Sequence, residues 1–378
     1  MKRSYIREIL EATNETSISF AGGLPDSTLF DTEAFTKIAL KTLQNPMNLQ
    51  YSESKGLKCL RQKIAKRYCD QGFMTSTDQI LITSGSQQAL NIIALAFLDK
   101  GITLENPAYL GAIGVFNLHN IAMQYVTLKK DGIALKAFEQ SIEKNRAAYL
   151  IPDFQNPTGR RYSLDKRVAI AEIIKDNKAL IIEDAAYESL YFNHSISSIS
   201  QMLPDHSFHI GSYSKMLAPG MRVGWIRTSS DKIEQMLPIK EALDLHTSTL
   251  NQAMISNYLE HFDLETRLQN IRNIYAKKMD FFAKQLETYL PEFEFEKPEG
   301  GMFIYGKLPG VDTKHLAKKC LEKNVFFVPG SEFYSNNGGE DEIRFNFTNS
   351  SNSDIKNGLE TLGKLVVFIQ NDHNQTQN

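Results

Sequence analysis

The chain has 378 residues, with 42 basic and 44 acidic side chains, a net charge of −2 and 42% hydrophobic residues. That length accommodates two domains, and the composition is that of an ordinary globular protein rather than a disordered, collagenous or disulfide-stapled one. The near-cancelling charge supplies no field to gather nucleic acid or an anionic membrane, which points to a small-molecule enzyme.

The first twenty residues, MKRSYIREILEATNETSISF, contain no long apolar stretch and so no secretory signal. Residues 4–12 predict a short amphipathic helix, and 18–24 lead into a Gly22-Gly23-Leu24-Pro25 turn. Apolar spacings of three and four predict helices over 33–44 and 55–70. Strands then alternate with helices: ILIT (80–83), a helix over 87–98, ITLE (102–105), a helix, MQYVTL (123–128), a helix near 134–144, AAYLIPDF (147–154), a helix over 163–177, ALIIED (179–184), FHIGSYS (208–214) and VGWIRT (223–228). Short β-branched strands interleaved with helices predict an α/β fold with a mostly parallel sheet covered on both faces. After residue 230 the pattern changes to long helices over roughly 230–290 and then to short strands at MFIYGKL, VFFVPG and IRFNFT, a second, smaller α+β unit. The tail after Gln370 is polar and aperiodic, and fraying is expected. The longest apolar runs fall far short of a membrane span. Cys59, Cys69 and Cys320 make an odd count with no C-x-x-C pair, which argues against a disulfide framework or zinc site and for a reducing compartment.

Ligands of open α/β sheets sit at the carboxyl ends of the strands, so the residues just after each strand are the candidates. Gly85, Ser86 and Gln87 form a small-residue turn feeding a helix, which suits an anion and also an ordinary turn. Tyr109, after ITLE, would stack on a flat ring or simply pack over a strand end. Asn156, in Gln155-Asn156-Pro157-Thr158-Gly159, is either an Asx-turn residue or an amide aimed at an oxygen of a ligand. Glu183 and Asp184 end a very apolar strand; such carboxylates are costly to bury unpaired, and serve as a helix cap, an ion pair or a fixed charge facing a protonated ring nitrogen. Lys215 follows the hydroxyls of Ser212 and Ser214, with Arg222 seven positions on; a lysine so placed loses its proton readily and attacks carbonyls. Arg344 lies on a strand alternating Arg and Asn with Ile and Phe, where its fork matches a carboxylate or a cross-strand acid.

Together, SFAGGLPDSTLF (19–30), ITSGSQQALNIIALAFLD (82–99), LENPAYLGA (104–112), PDFQNPTGRRYS (152–163), IIEDAAYESLYF (181–192), GSYSKMLAPGMRVGW (211–225), EGGMFIYGKLP (299–309) and IRFNFT (343–348) are similar, in order and spacing, to the class I and II aminotransferases of fold type I. Within that family the chain resembles the branch holding kynurenine/2-aminoadipate and multisubstrate aminotransferases. The resemblance implies a seven-stranded-type, mostly parallel sheet between helices, as in aspartate aminotransferase. It divides the chain into an N-terminal segment (1–45) packing with the small domain, a large cofactor-binding domain (46–270) and a small C-terminal domain (271–378). The implied cofactor is pyridoxal 5'-phosphate, held by Lys215 as a Schiff base. Asp184 would pair with the ring nitrogen, Tyr187 and Asn156 would bond the ring's phenolate oxygen, and Tyr109 would stack on the ring. Gly85, Ser86, Gln87, Ser212, Ser214 and Arg222 would hold the phosphate, with Tyr51 reaching it from the neighbouring subunit of a homodimer. Arg344, Asn156 and Gly23 would bind the substrate carboxylate.

Transamination between L-amino acids and 2-oxo acids is thus expected, with glutamate/2-oxoglutarate as one pair and a broad donor range, in the cytoplasm, with neither nucleic acid nor membrane as partner. Ala185 and Ala186 replace an acid and a proline common in the family, and residues 246–252 lack the arginine of dicarboxylate-specific relatives, which argues against strict aspartate specificity; Arg3 and Arg7 are either substitutes for it or ordinary surface arginines. A β-lyase or decarboxylase on the same scaffold is the alternative chemistry. A non-catalytic pyridoxal-phosphate-binding regulatory domain is a further alternative, opposed by a family match that starts within about twenty residues of Met1, leaving no room for a winged-helix module, and by the lack of a basic arm.

Overall fold

The computed structural model describes residues 16–335 and 337–376 and, ahead of them, residues 9, 11, 13 and 14. Most of the helix predicted over 4–12, with Arg3 and Arg7, lies outside the described residues.

The large sheet has eight strands, in the order Ile80–Thr83, Gly224–Arg227, Ser207–Ser212, Leu180–Asp184, Ala147–Leu150, Ile102–Asn106, Met123–Lys129 and Gly132–Ile133. The eighth is a two-residue antiparallel addition at one edge, beyond the seven that were expected. Gly224–Arg227 runs antiparallel to both its neighbours, and the five-strand run from Ser207–Ser212 to Met123–Lys129 is parallel. Ile80–Thr83, Ala147–Leu150 and Ser207–Ser212 are buried at every residue, which follows from helices covering both faces. Met123–Lys129, near the edge, alternates more exposed and more buried positions.

Thr83, Asn106, Leu150, Asp184 and Ser212 therefore end strands on the same side of this sheet, and the candidate residues follow them. The smaller sheet, Glu294–Phe295, Phe303–Lys307, Glu342–Asn346 and Val328–Pro329, is antiparallel. Ile18–Ser19 pairs in parallel with Val325–Phe326, and helix Thr32–Leu43 packs on helix Thr249–His261. Helix Leu264–Tyr289 runs unbroken through residue 270 and packs against the C-terminal helix Asn352–Thr376. One apolar cluster joins Leu104, Ile182 and Ile210 of the large sheet to Phe282, Phe345 and Leu359.

Several elements depart from the sequence expectations. The helix expected from residue 55 begins at Lys58, because Gly56 adopts a left-handed φ of 92° in the preceding turn. The strand expected to run to residue 154 stops at Leu150. Pro152 supplies no N–H, and Asp153 instead turns inward onto a pair of arginines. VFFVPG divides into two two-residue strands that pair in different sheets. The backbone stays helical to Thr376, well into the tail expected to fray. Ile355, Leu359, Leu362, Val366 and Ile369 recur on one face of that helix and are buried.

Asp153 accepts from Arg167 Nη2 at 2.8 Å and from Arg161 Nε at 3.0 Å, fixing the loop over 151–162. Removing a buried partner leaves uncompensated charge, a loss of about 3–5 kcal/mol. Asp153→Ala should therefore lower the thermal midpoint by several degrees; an unchanged midpoint in a melting experiment would contradict the role given to this pair.

Candidate active site

Helix Ser86–Phe97 begins without a side-chain cap, so its first amides point outward from the strand end. Gly85, its N-cap, has φ 83°, and a Cβ there would lie 2.5 Å from Arg222 Nη2. Glycine thus allows the Arg222 guanidinium to close over the turn, donating to Ser84 O at 3.3 Å and Pro219 O at 3.2 Å. Gln87 reaches the carbonyl of Gly111 at 3.5 Å. Ser212 Oγ donates to Ser214 Oγ at 3.0 Å and accepts from Ser214 N at 3.1 Å. Bare helix amides, a positive end-dipole, hydroxyls and a guanidinium make a place for an anion.

A frame that sequence reasoning missed supports this turn. Lys240, fully buried, donates to Gln88 Oε1 at 2.9 Å, Asp244 Oδ1 at 2.6 Å and Thr247 Oγ1 at 3.0 Å. Gln88 and Asp244 in turn accept from the backbone N and the hydroxyl of Ser84, at 2.8 and 3.0 Å. A Lys and an Asp four apart read in sequence as a solvated helix pair, so no signal marked them.

Lys215 follows the strand Ser207–Ser212, and its Nζ donates to the carbonyl of Gly23 at 2.6 Å. Burial, then the positive charges of Arg222 and Arg344, push its amine down to about 8. Asp184 is buried at the end of the adjacent strand. Its Oδ2 accepts from the Tyr149 hydroxyl at 2.8 Å and its Oδ1 from Ala186 N at 3.1 Å. Burial raises its pKa, while those two hydrogen bonds act to lower it. Glu183 fits the helix-cap alternative, accepting from Ile199 N and Ser200 N at 3.0 and 2.7 Å.

Tyr187, Asn156 and Arg344 form a buried line. Asn156 Nδ2 donates to the Tyr187 hydroxyl at 3.3 Å, and Asn156 Oδ1 accepts from Arg344 Nη1 at 2.8 Å. Arg344 Nη2 donates to the carbonyl of Ala21, and the guanidinium lies 4.3 Å from the Phe303 ring centre and 5.0 Å from that of Phe333. Burial pushes Arg344 down to about 10 and raises Tyr187. The buried Arg61, Arg167 and Arg272 each meet a carboxylate. Arg227, which meets none among the described residues, has Nε, Nη1 and Nη2 all bonded. Arg344 has no acidic partner among the described residues, and its Nε is left without an acceptor.

Tyr109 is half-buried, with its ring over Gly111, where a Cβ would lie 2.5 Å from the ring carbon Cζ. Burial raises both Tyr187 and Tyr149, and the Tyr109 hydroxyl adds to each shift. Tyr51 does not join these residues within the chain; it is 78% exposed, edge-on to His246 at 5.8 Å. Tyr149 and Asn346 were not singled out from sequence. Asn346 Nδ2 donates to the carbonyls of Gly22 and Leu24, which fixes the segment carrying Gly23. The alternation that places Arg344 inward places Asn346 on the same face, so that signal was available.

Residues 21–362 match the family model for aminotransferase class I and II. The chain belongs to this family. It is 34% identical to a 2-aminoadipate transaminase of Thermus thermophilus over 97% of this chain and 94% of the relative. A crystal structure of α-aminoadipate aminotransferase from Thermus thermophilus, complexed with N-(5'-phosphopyridoxyl)-L-leucine, superposes with a TM-score of 0.89 at 33% identity, covering 98% of this chain and 96% of that one. A Pyrococcus horikoshii kynurenine aminotransferase solved with PMP superposes with a TM-score of 0.90 at 32% identity, covering 97% and 95%. Among the described residues no helix is long and apolar enough to cross a membrane, and no cluster of His, Cys, Asp or Glu suits a metal ion.

The lowered basicity of Lys215 has a testable sign. A lysine depressed to about 8 gains its nucleophilic neutral form as pH rises through that value. In cofactor-free protein, modification of Lys215 by a small uncharged aldehyde, followed by mass spectrometry, should rise with a midpoint near pH 8; a midpoint near that of an ordinary lysine would contradict the described environment.

Proposed function

We propose that this pyridoxal-phosphate-dependent aminotransferase carries its cofactor on Lys215 and, in moving amino groups between L-amino acids and 2-oxo acids, uses glutamate and 2-oxoglutarate as one pair and accepts a broad range of donors. The observation that carries this reading is Arg344, a buried cation with no carboxylate partner among the described residues and an unused Nε, placed where an α-carboxylate would complete it.

The residues fit the cofactor. Gly85, Ser86, Gln87, Ser212, Ser214 and Arg222 supply donors and positive potential for a phosphate, and a side chain at Gly85 would fill that cradle. Asp184 offers a buried carboxylate to a ring nitrogen, and an ionised Asp184 favours a proton there. Asn156 and Tyr187 offer donors to a ring oxygen, and Tyr109 an aromatic face. When bound, the cofactor supplies the electron sink that makes the substrate's α-carbon acidic. Arg344 and Asn156 hold the substrate carboxylate near Gly23 and so orient its Cα–H bond. Lys215, once its amine is free, would take the α-proton at Nζ and give it back later in the transfer. A positioned proton transfer of this kind contributes about 10²–10⁴-fold. Tyr149 holds Asp184 in place for its task.

The chain functions, in this reading, as a cytoplasmic homodimer in which Tyr51 reaches the phosphate of the partner's site. Support comes from Leu40, Leu43, Met47, Leu49 and Tyr51, large apolar side chains exposed within residues 40–51, and from three free cysteines, as expected in a reducing compartment. We divide the chain into an N-terminal segment (1–45), a cofactor-binding domain (46–270) and a small domain (271–378). The pairing of Ile18–Ser19 with Val325–Phe326 joins the start of the first segment to the small domain, helix Thr32–Leu43 packs instead on Thr249–His261 of the cofactor-binding domain, and the second boundary falls inside one shared helix.

Lys215→Ala should abolish transamination and the visible absorbance of the lysine-bound cofactor; full activity in that variant would end the proposal. Arg344→Ala should raise KM for amino acids roughly tenfold or more with a smaller effect on kcat. Unaltered KM values across a panel of donors with 2-oxoglutarate would remove Arg344 from the carboxylate site.

A further inference from the structure

Glu105 is completely buried at the end of strand Ile102–Asn106 and has no part in the reaction described above. Its Oε1 accepts from the Tyr162 hydroxyl at 2.7 Å and from Ile151 N at 3.3 Å, and its Oε2 accepts from Gln155 Nε2 at 3.1 Å. Gln155 is also fully buried. The same Nε2 donates to the carbonyl of Pro107 at 3.0 Å, and Gln155 Oε1 accepts from the backbone N and hydroxyl of Thr158 at 2.9 and 2.7 Å. One carboxyl group thus ties together two strand-end loops. The first, over 106–109, ends in Tyr109. The second, over 154–159, carries Asn156, which bonds both Tyr187 and Arg344.

We propose that Glu105 is a positioning residue for the transamination proposed above, acting through Gln155 to hold Asn156, and with it the carboxylate and ring-oxygen contacts, in register with Tyr109. The inference rests on that functional reading and extends it to a residue that touches neither substrate nor cofactor.

The chemistry requires a carboxyl group. Burial pushes Glu105 up to about 8, with Tyr162, Gln155 and Ile151 opposing the shift and Asp184 adding to it. In its ionised form the group accepts with both oxygens, Oε1 from Tyr162 and Ile151 and Oε2 from Gln155. An amide has only one accepting atom. Glu105→Gln would therefore set an NH2 group against the donor of Gln155 or of Ile151, and an orphaned buried donor is costly. A role confined to stability would lower the melting temperature and leave the site's chemistry as it was.

The test compares native holoenzyme with Glu105→Gln, Gln155→Leu and the double variant. It reads KM and kcat for an amino donor, and the pH midpoint of the visible absorbance of the lysine-bound cofactor. Glu105→Gln should raise KM about tenfold with a smaller fall in kcat, and should shift the absorbance midpoint, because Asn156 and Tyr187 face the ring oxygen. Gln155→Leu should do the same, and the double variant should exceed neither, since both cut one path. Native KM and midpoint in Glu105→Gln, with only a lower melting temperature, would overturn the proposal, as would additive effects in the double variant. Should Glu105→Gln fail to fold, native values in Gln155→Leu overturn it equally. If native protein shows no lysine-bound absorbance at all, the cofactor reading itself falls, a failure distinct from loss of the Glu105 effect alone.

Discussion

Arg344 is a guanidinium sealed from water whose hydrogen-bonding partners among the described residues are neutral: an amide oxygen of Asn156 and the carbonyl of Ala21, with the rings of Phe303 and Phe333 over its faces. Burying a charge without an opposite one is expensive, and here the expense is concentrated where three parts of the chain meet. Ala21 comes from the N-terminal segment, Arg344 from the small antiparallel sheet and Asn156 from a loop of the large sheet. The same positive charge, with that of Arg222, lowers the basicity of Lys215, whose own hydrogen-bond partner is the carbonyl of Gly23. Anions arriving at Arg222 and Arg344 would relieve each of these deficits. The site is in that sense incomplete by itself, which is the condition a binding site for a phosphate and a carboxylate must meet.

Asp184, a buried acid facing this cluster from a strand end, is arranged in the opposite way. It has two donors, the Tyr149 hydroxyl and Ala186 N, so its carboxylate is held in a fixed pose. Around both poles lies a layer of charged groups, each beside an opposite charge. Lys240 with Asp244 and Gln88 underpins the anion-binding turn. Asp153 with Arg161 and Arg167 fixes the loop that presents Asn156. Charge is thus balanced in the supporting layer and unbalanced in the inner one. On the proposed reading, that division separates residues whose loss should destabilise the fold from residues whose loss should disable chemistry.

The strand ends were readable because a parallel sheet writes itself as short apolar strands followed by polar residues, and Lys215, Asp184, Asn156 and Arg344 each sit at such a transition or on such a strand. Their partners were not readable. Tyr149 looks like any aromatic in an apolar strand, and only the parallel register between Ala147–Leu150 and Leu180–Asp184 brings its hydroxyl to Asp184. Lys240 looks like a solvated lysine until its helix is laid against Ser86–Phe97. Errors of extent had local causes. Apolar Ile151 and Phe154 prolonged the expected strand past Leu150, although Pro152 and the left-handed φ of Phe154 end it. The polar composition beyond Gln370 concealed the continuation of a helix whose apolar face lies earlier, over Ile355 to Ile369.

The account turns on one amine. Reduction of the pyridoxal-phosphate-loaded protein with borohydride, followed by peptide mapping, would fix the cofactor to whichever lysine holds it. A phosphopyridoxyl group on the peptide containing Lys215 is the predicted result. Label on a different lysine, or on none, would contradict the arrangement of charge described for this site.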